Sequence, residues 1–136
     1  MRRTRNTVKE HHVESTSGTR QTHPDVAFEL ESSKMGPFTN TDTFVCVGGV
    51  KATNLLRATR NVVMEMAESW GANALVDEQW TCTICRPRRR SGTFRVRICY
   101  TAYAVRSTGP DPHKPVALDQ VKGVPGLMTI LRRNDD

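Results

Sequence analysis

The chain is short of aromatic residues, of histidine in its middle, and of any long apolar run. Aromatics are 6 % of its 136 residues, too few to line the broad stacking surface that single-stranded nucleic-acid binders use. All four histidines, His11, His12, His23 and His113, lie outside residues 24–112. Histidine-dependent acid–base or nucleophilic catalysis therefore has no obvious centre in the apolar middle of the chain. No segment nears the roughly 20 apolar residues of a membrane-spanning helix, so no membrane partner is expected. The basic start Met1-Arg2-Arg3-Thr4-Arg5 is followed by no apolar stretch and does not read as a secretory signal. The expectation is an intracellular, cytoplasmic protein whose four cysteines are thiols.

The net charge of +6 permits association with anions and says nothing of fold. Large apolar residues are sparse before position 43. The reading is a mobile or docked N-terminal tail over 1–42, in which residues 26–30 could form a helical turn or an edge strand. A folded domain over 43–106 follows, then a linker and short packing segment over 107–136 that could rest on another subunit.

Within 43–106 the periods are clear. Thr43-Phe44-Val45-Cys46-Val47 is a β-branched and aromatic run, a first strand that Gly48-Gly49 ends. Leu55, Leu56, Thr59, Val62, Val63, Met66, Ala67 and Trp70 recur at three- and four-residue steps, the pattern of one helical face. Thr53 or Asn54 can cap its start, and Gly71 supplies a left-handed stop. The period then becomes two. Val76, Glu78, Trp80, Cys82 and Ile84 share one face of a second strand. Phe94, Val96, Ile98, Tyr100, Ala102 and Ala104 share one face of a third, which should pack on the helix. Pairing Ile84 with Phe94 sets the expected register. The fold class is α+β: a single βαββ domain with an antiparallel hairpin and one amphipathic helix on the sheet.

The passage Gly71-Ala72-Asn73-Ala74-Leu75-Val76, preceded by Ala67 and followed by a strand, a turn and Ala102-Tyr103-Ala104-Val105, resembles the small YbjQ-type proteins, often labelled heavy-metal-binding. The likeness covers roughly residues 44–106, with Thr101-Ala102-Tyr103-Ala104-Val105 in place of the family's Gly-Thr-Ala-Val ending. It implies a βαββ subunit of dodecin-like topology and a ring-like homo-oligomer, and no established activity.

Three constellations could carry chemistry. Arg86, Arg88, Arg89 and Arg90 at the hairpin turn, with Arg95, Arg97 and Tyr103 on the outer face of the third strand, could meet an anionic small molecule or a nucleic acid. A charged turn that keeps a sheet edge soluble, salt-bridged to Glu65, Glu68 or Asp77, accounts for the same residues. Cys82-Thr83-Ile84-Cys85 has the spacing of a zinc half-site, with Cys99 nearby. Residues three apart on a strand face opposite ways, however, so Cys82 and Cys85 do not converge on one ion. Cys46 and Cys82 read as core residues, Cys85 and Cys99 as half-exposed thiols. His11, His12, Glu14 and His23 could ligate a metal, but lie in the tail. Gly48-Gly49 before the helix could meet an anion, though a plain strand-to-helix turn is the simpler account. No catalytic residue and no cofactor is assigned. The expectation is a non-enzymatic oligomeric binding or scaffold protein with an anionic or small aromatic ligand at an arginine-lined face or subunit interface. A nucleic-acid-binding module and a cysteine-based metal sensor are the alternatives.

Overall fold

The computed structural model describes residues 11–26, 33–86 and 92–134. One antiparallel sheet contains β1 (His11–Thr16), β2 (Met35–Val47), β3 (Ala74–Arg86), β4 (Thr93–Val105) and β5 (Thr129–Arg133). Their order across the sheet is β1-β3-β4-β2-β5. Among the described residues one long helix, α1 (Ala52–Ser69), joins β2 to β3. The α+β class holds, and the strand-helix-strand-strand run is present as β2-α1-β3-β4. It is the centre of a five-stranded sheet, which corrects the three strands expected. The first strand runs back to Met35, β1 lies within the supposed tail, and β5 lies within the C-terminal segment. Both boundaries expected at 43 and 106 therefore fall inside one folded body. Of the run 26–30 only Val26 is among the described residues, and it is buried.

Alternation along the strands decides which face is covered. Phe94, Val96, Ile98, Tyr100, Ala102 and Ala104 of β4 are buried, as are Trp80, Cys82 and Ile84 of β3. They pack under α1, whose buried residues are Ala52, Leu55, Leu56, Thr59, Arg60, Val63, Met64 and Ala67. Trp70, expected to continue that stripe, is 70 % exposed. It is the C-cap residue, where the chain turns away from the sheet, and it meets Phe38 edge-on with ring centroids 6.1 Å apart. Neither Thr53 nor Asn54 caps the helix. It begins at Ala52 behind Lys51, with no side-chain cap. Its other end is a Schellman turn as the glycine predicts: Gly71 has φ +90°, its N–H donates to Glu68 O (2.9 Å), and Ala72 N–H donates to Ala67 O (3.1 Å).

The hairpin register differs from expectation by two residues. Ile84 faces Val96 rather than Phe94, Cys82 faces Ile98, and Thr81 faces Cys99. An even shift keeps every side chain on its predicted face, so the inward and outward assignments stand. A bulge at Asp77 and Glu78, with Asp77 at φ 50°, interrupts β3.

Residues 107–128 lie on the same side of the sheet as α1, and Val116, Leu118, Val121, Val124 and Met128 join its core. The supposed linker is tied down at both ends. Asn73 accepts a hydrogen bond from Ser107 N–H (2.6 Å) and donates to Ser107 O (3.0 Å). Gly48 and Gly126 let two backbones cross, since a Cβ on Gly48 would overlap the Leu127 carbonyl oxygen and one on Gly126 the Gly48 carbonyl oxygen. That crossing accounts for Gly48-Gly49 without an anion. Asn73→Ala leaves two half-buried backbone groups of Ser107 without these partners. It is expected to cost about 1–3 kcal/mol, measured by urea unfolding.

Candidate anion site on the open sheet face

Among the described residues, the opposite face of the sheet is covered at one end only. Residues 17–26 cross it there, Val26 packs with Ala74, Val76, Val105 and Tyr103, and the Arg20 guanidinium lies 5.3 Å from the Tyr103 ring centroid. Toward the β3–β4 turn the outward residues form rows across the strands. One row contains His12, Cys85, Arg95, Val45 and Arg132. The next contains Glu14, Thr83, Arg97 and Thr43.

These rows frame a depression of about 630 Å³ lined by Thr43, Val45, Arg95, Arg97, Arg132 and Asn134. Two of its arginines come from β4 by the period of two. The third depends on how β5 is held. Arg133 points inward, where its guanidinium donates to Asp42 Oδ2 (2.7 Å) and lies 5.3 Å from the Phe44 ring centroid. Its neighbour Arg132 is thereby turned outward. Asn134 closes the corner by accepting from Thr43 N–H (3.0 Å) and donating to Asp42 Oδ1 (3.0 Å). Asp42 is buried, which alone would raise its pKa. Hydrogen bonds from Arg133, Asn134 and Thr59 outweigh burial and hold the carboxyl below its usual range.

Among the described residues no carboxylate pairs with Arg95, Arg97 or Arg132. Asp77, one of the acids expected to neutralise the cluster, pairs instead with Lys34 at 2.6 Å. The other predicted residues divide. Arg88, Arg89 and Arg90 lie outside the described residues. Arg86 is on the helix side, over the ring of Phe94 at 5.1 Å, because its parity matches Ile84 rather than Cys85. Tyr103 is on the arginine face as expected, but beneath Arg20 at the far, covered end. Arg132 was not expected, because nothing local in residues 116–133 marks a strand that pairs with β2.

The cysteines fall as read. Cys82 is buried and faces the core, where burial pushes its thiol pKa up to about 11. Cys46 is buried too, and its thiol pKa is likewise raised by burial. Cys85 and Cys99 are half-buried on the arginine face. Cys82 and Cys85 thus point to opposite sides. Among the described residues no three of His, Cys, Asp and Glu stand close enough together to hold a metal ion. His23 Nε2 is 2.6 Å from Lys114 O, away from His12 and Glu14 on β1.

A second charged cluster is buried under α1. Arg60, 1 % exposed, donates to Glu78 Oε1 (2.7 Å) and Oε2 (3.3 Å), and to Asp111 Oδ2 (2.8 Å) and Oδ1 (3.0 Å). Tyr100 O–H donates to Glu78 Oε1 (2.6 Å) and accepts from Val116 N–H (3.2 Å). Leu75 and His113 N–H both donate to Asp111. Burial would raise the Asp111 pKa, but the Arg60 fork and these backbone donors hold it below the usual range. Burial, then the Glu78 charge, drives the Tyr100 phenol well above its ordinary value. The donors and acceptors face one another in a closed network, which suits a clamp rather than a substrate site. One signal for it was in the sequence: Glu78 falls on the apolar face of β3 and needs a buried cation.

No protein-family model, curated protein or solved structure matches the chain. Function therefore rests on the site itself. Among the described residues, no helix is long and apolar enough to cross a membrane.

Proposed function

We propose that the chain is a non-enzymatic binding protein, YbjQ-like and homo-oligomeric, that holds an anionic ligand over Arg95, Arg97 and Arg132. The observation that carries this reading is that three arginines line one depression without a carboxylate partner among the described residues. Guanidinium groups bind phosphate or carboxylate through paired N–H donors. Among the described lining residues Val45 is the one apolar side chain, which favours an anion over an aromatic ligand. In support of assembly, β1 and β5 are both edge strands, and Leu127, Ile130 and Leu131 stand exposed beside the β5 edge. An uncovered apolar edge of this kind invites pairing.

Inorganic phosphate, titrated by calorimetry at low salt, should bind with at least one site per chain. Affinity should fall about tenfold or more when Arg95, Arg97 and Arg132 are replaced together by Gln, given roughly 1.5–3 kcal/mol per charged hydrogen bond. Equal affinity in that variant would overturn the reading. Native mass spectrometry of the same sample reads the assembly. A second reading, single-stranded nucleic acid, is favoured by one fact: Arg86 at the end of β3 lies at the same end of the sheet as Arg95 and Arg132. It predicts an oligonucleotide affinity that falls steeply with salt and exceeds that of phosphate.

A further inference from the structure

On the same face, one strand away from the depression, a thiol and an imidazole meet. Cys85 Sγ lies 3.3 Å from His12 Nδ1, brought there by the antiparallel pairing of β1 with β3. On its other side Cys85 is paired with Arg95 of β4, and paired residues hold their Cβ atoms about 5 Å apart. The topology thus sets a half-exposed thiol between a base and the first of the three arginines. Cys99, also half-exposed on this face, has Arg97 two residues away on its own strand but is paired with Thr81 and Thr41 and has no imidazole beside it.

We propose that Cys85 is a modification site that forms a mixed disulfide with small anionic disulfides, glutathione disulfide being of that class. The proposal rests on the anion reading above, because the arginine depression supplies the selectivity. In the reaction the Cys85 sulfur attacks one sulfur of the incoming disulfide. The thiol proton passes to His12 Nδ1, a new S–S bond forms, and the old one breaks. Cys85 is oxidised, and the departing half is reduced and leaves as a thiolate that takes up a proton. Exchange of this kind depends on the thiolate, which nearby cationic and basic groups favour. The carboxylates of the reagent meet Arg95 and Arg97 as the sulfurs align, so the positive face raises the encounter rate.

The test uses the full-length chain and two reagents, the dianionic 5,5′-dithiobis(2-nitrobenzoate) and the neutral 4,4′-dithiodipyridine. Rates are normalised to a neutral small thiol, and adducts are assigned to Cys85 or Cys99 by peptide mass spectrometry. Cys85 should react first, with a normalised preference for the anionic reagent of about tenfold that disappears at high salt and in Arg95→Gln/Arg97→Gln. His12→Asn should slow both reagents alike. Circular dichroism on each variant separates lost folding from lost reactivity. Modification at Cys99 before Cys85, or no preference for the anionic reagent, overturns the proposal. Phosphate calorimetry on the same preparation separates the two ideas: phosphate bound without selective Cys85 chemistry removes this proposal and leaves the anion site standing. Failure of both removes both.

Discussion

Arg60→Met is expected to cost about 3–5 kcal/mol, the typical penalty for leaving a buried charge without its partner. Glu78 and Asp111 are both essentially inaccessible to water, and Arg60 is bonded to each. Domains of this size are stable by only about 5–15 kcal/mol, so the urea midpoint, followed by Trp80 fluorescence, should fall by a large fraction of its value. Arg60→Lys should recover little, since an ammonium cannot donate in two planar pairs at once. Adding Glu78→Gln and Asp111→Asn to Arg60→Met should restore part of the loss, because the uncompensated charges go with the arginine. The pH dependence follows from Asp111. Its carboxyl titrates lower in the folded chain than in the unfolded one. It therefore contributes stability above the ordinary carboxylate range, and that contribution is lost as pH falls through the folded value. In Arg60→Met burial is left to dominate, the sign reverses, and the gap between variant and wild type should narrow from pH 7 to pH 4. A gap that stays constant would mean that Asp111 does not depend on Arg60.

Trp80→Ala carries the second large effect, again about 3–5 kcal/mol. The side chain is 1 % exposed in the centre of the core, and its indole N–H donates to Val116 O at 2.7 Å. Removing it opens a cavity and strips a buried carbonyl of its donor. Trp80→Phe separates the two terms. It keeps most of the apolar volume and loses the hydrogen bond, so its cost should be nearer 1–3 kcal/mol. A phenylalanine as damaging as alanine would show that the link to Val116, rather than core volume, holds residues 107–128 in place.

Much of the centre could be read from the residues. The periods of 3.6 and 2 located α1, β3 and β4 and assigned their faces, because those elements bury one side fully. Cys82 and Cys85 went to opposite sides for the same reason. Register was less legible. A seven-residue turn with four arginines does not by itself say which residues face each other across it, and the two-residue error changed partners without changing faces. The edges were least legible. In β1, His-His-Val-Glu-Ser-Thr has a single aliphatic residue, Val13, which faces the core side with Ser15, too little apolar signal to stand out from a polar tail. For β5, Thr-Ile-Leu-Arg-Arg pairs with residues more than eighty positions earlier, and local pattern contains no such information. Arg132 was missed with it. Arg60 was missed because an arginine on a helix is ordinarily solvated, although it lies four residues after Leu56 and three before Val63 on the buried stripe.

The strand order has a consequence for how the chain reaches this state. Among the described strands, only β3 and β4 follow one another closely in sequence. β1 pairs with residues more than sixty positions later in sequence, and β2 waits for α1 and β3 before it meets β4. Such non-local pairing raises contact order and slows folding, because loops must close before their contacts can hold. During synthesis the hairpin can form early, while β5 is made after every other strand. The anion depression, which needs Arg132 from β5, is thus the last part of the sheet to be completed.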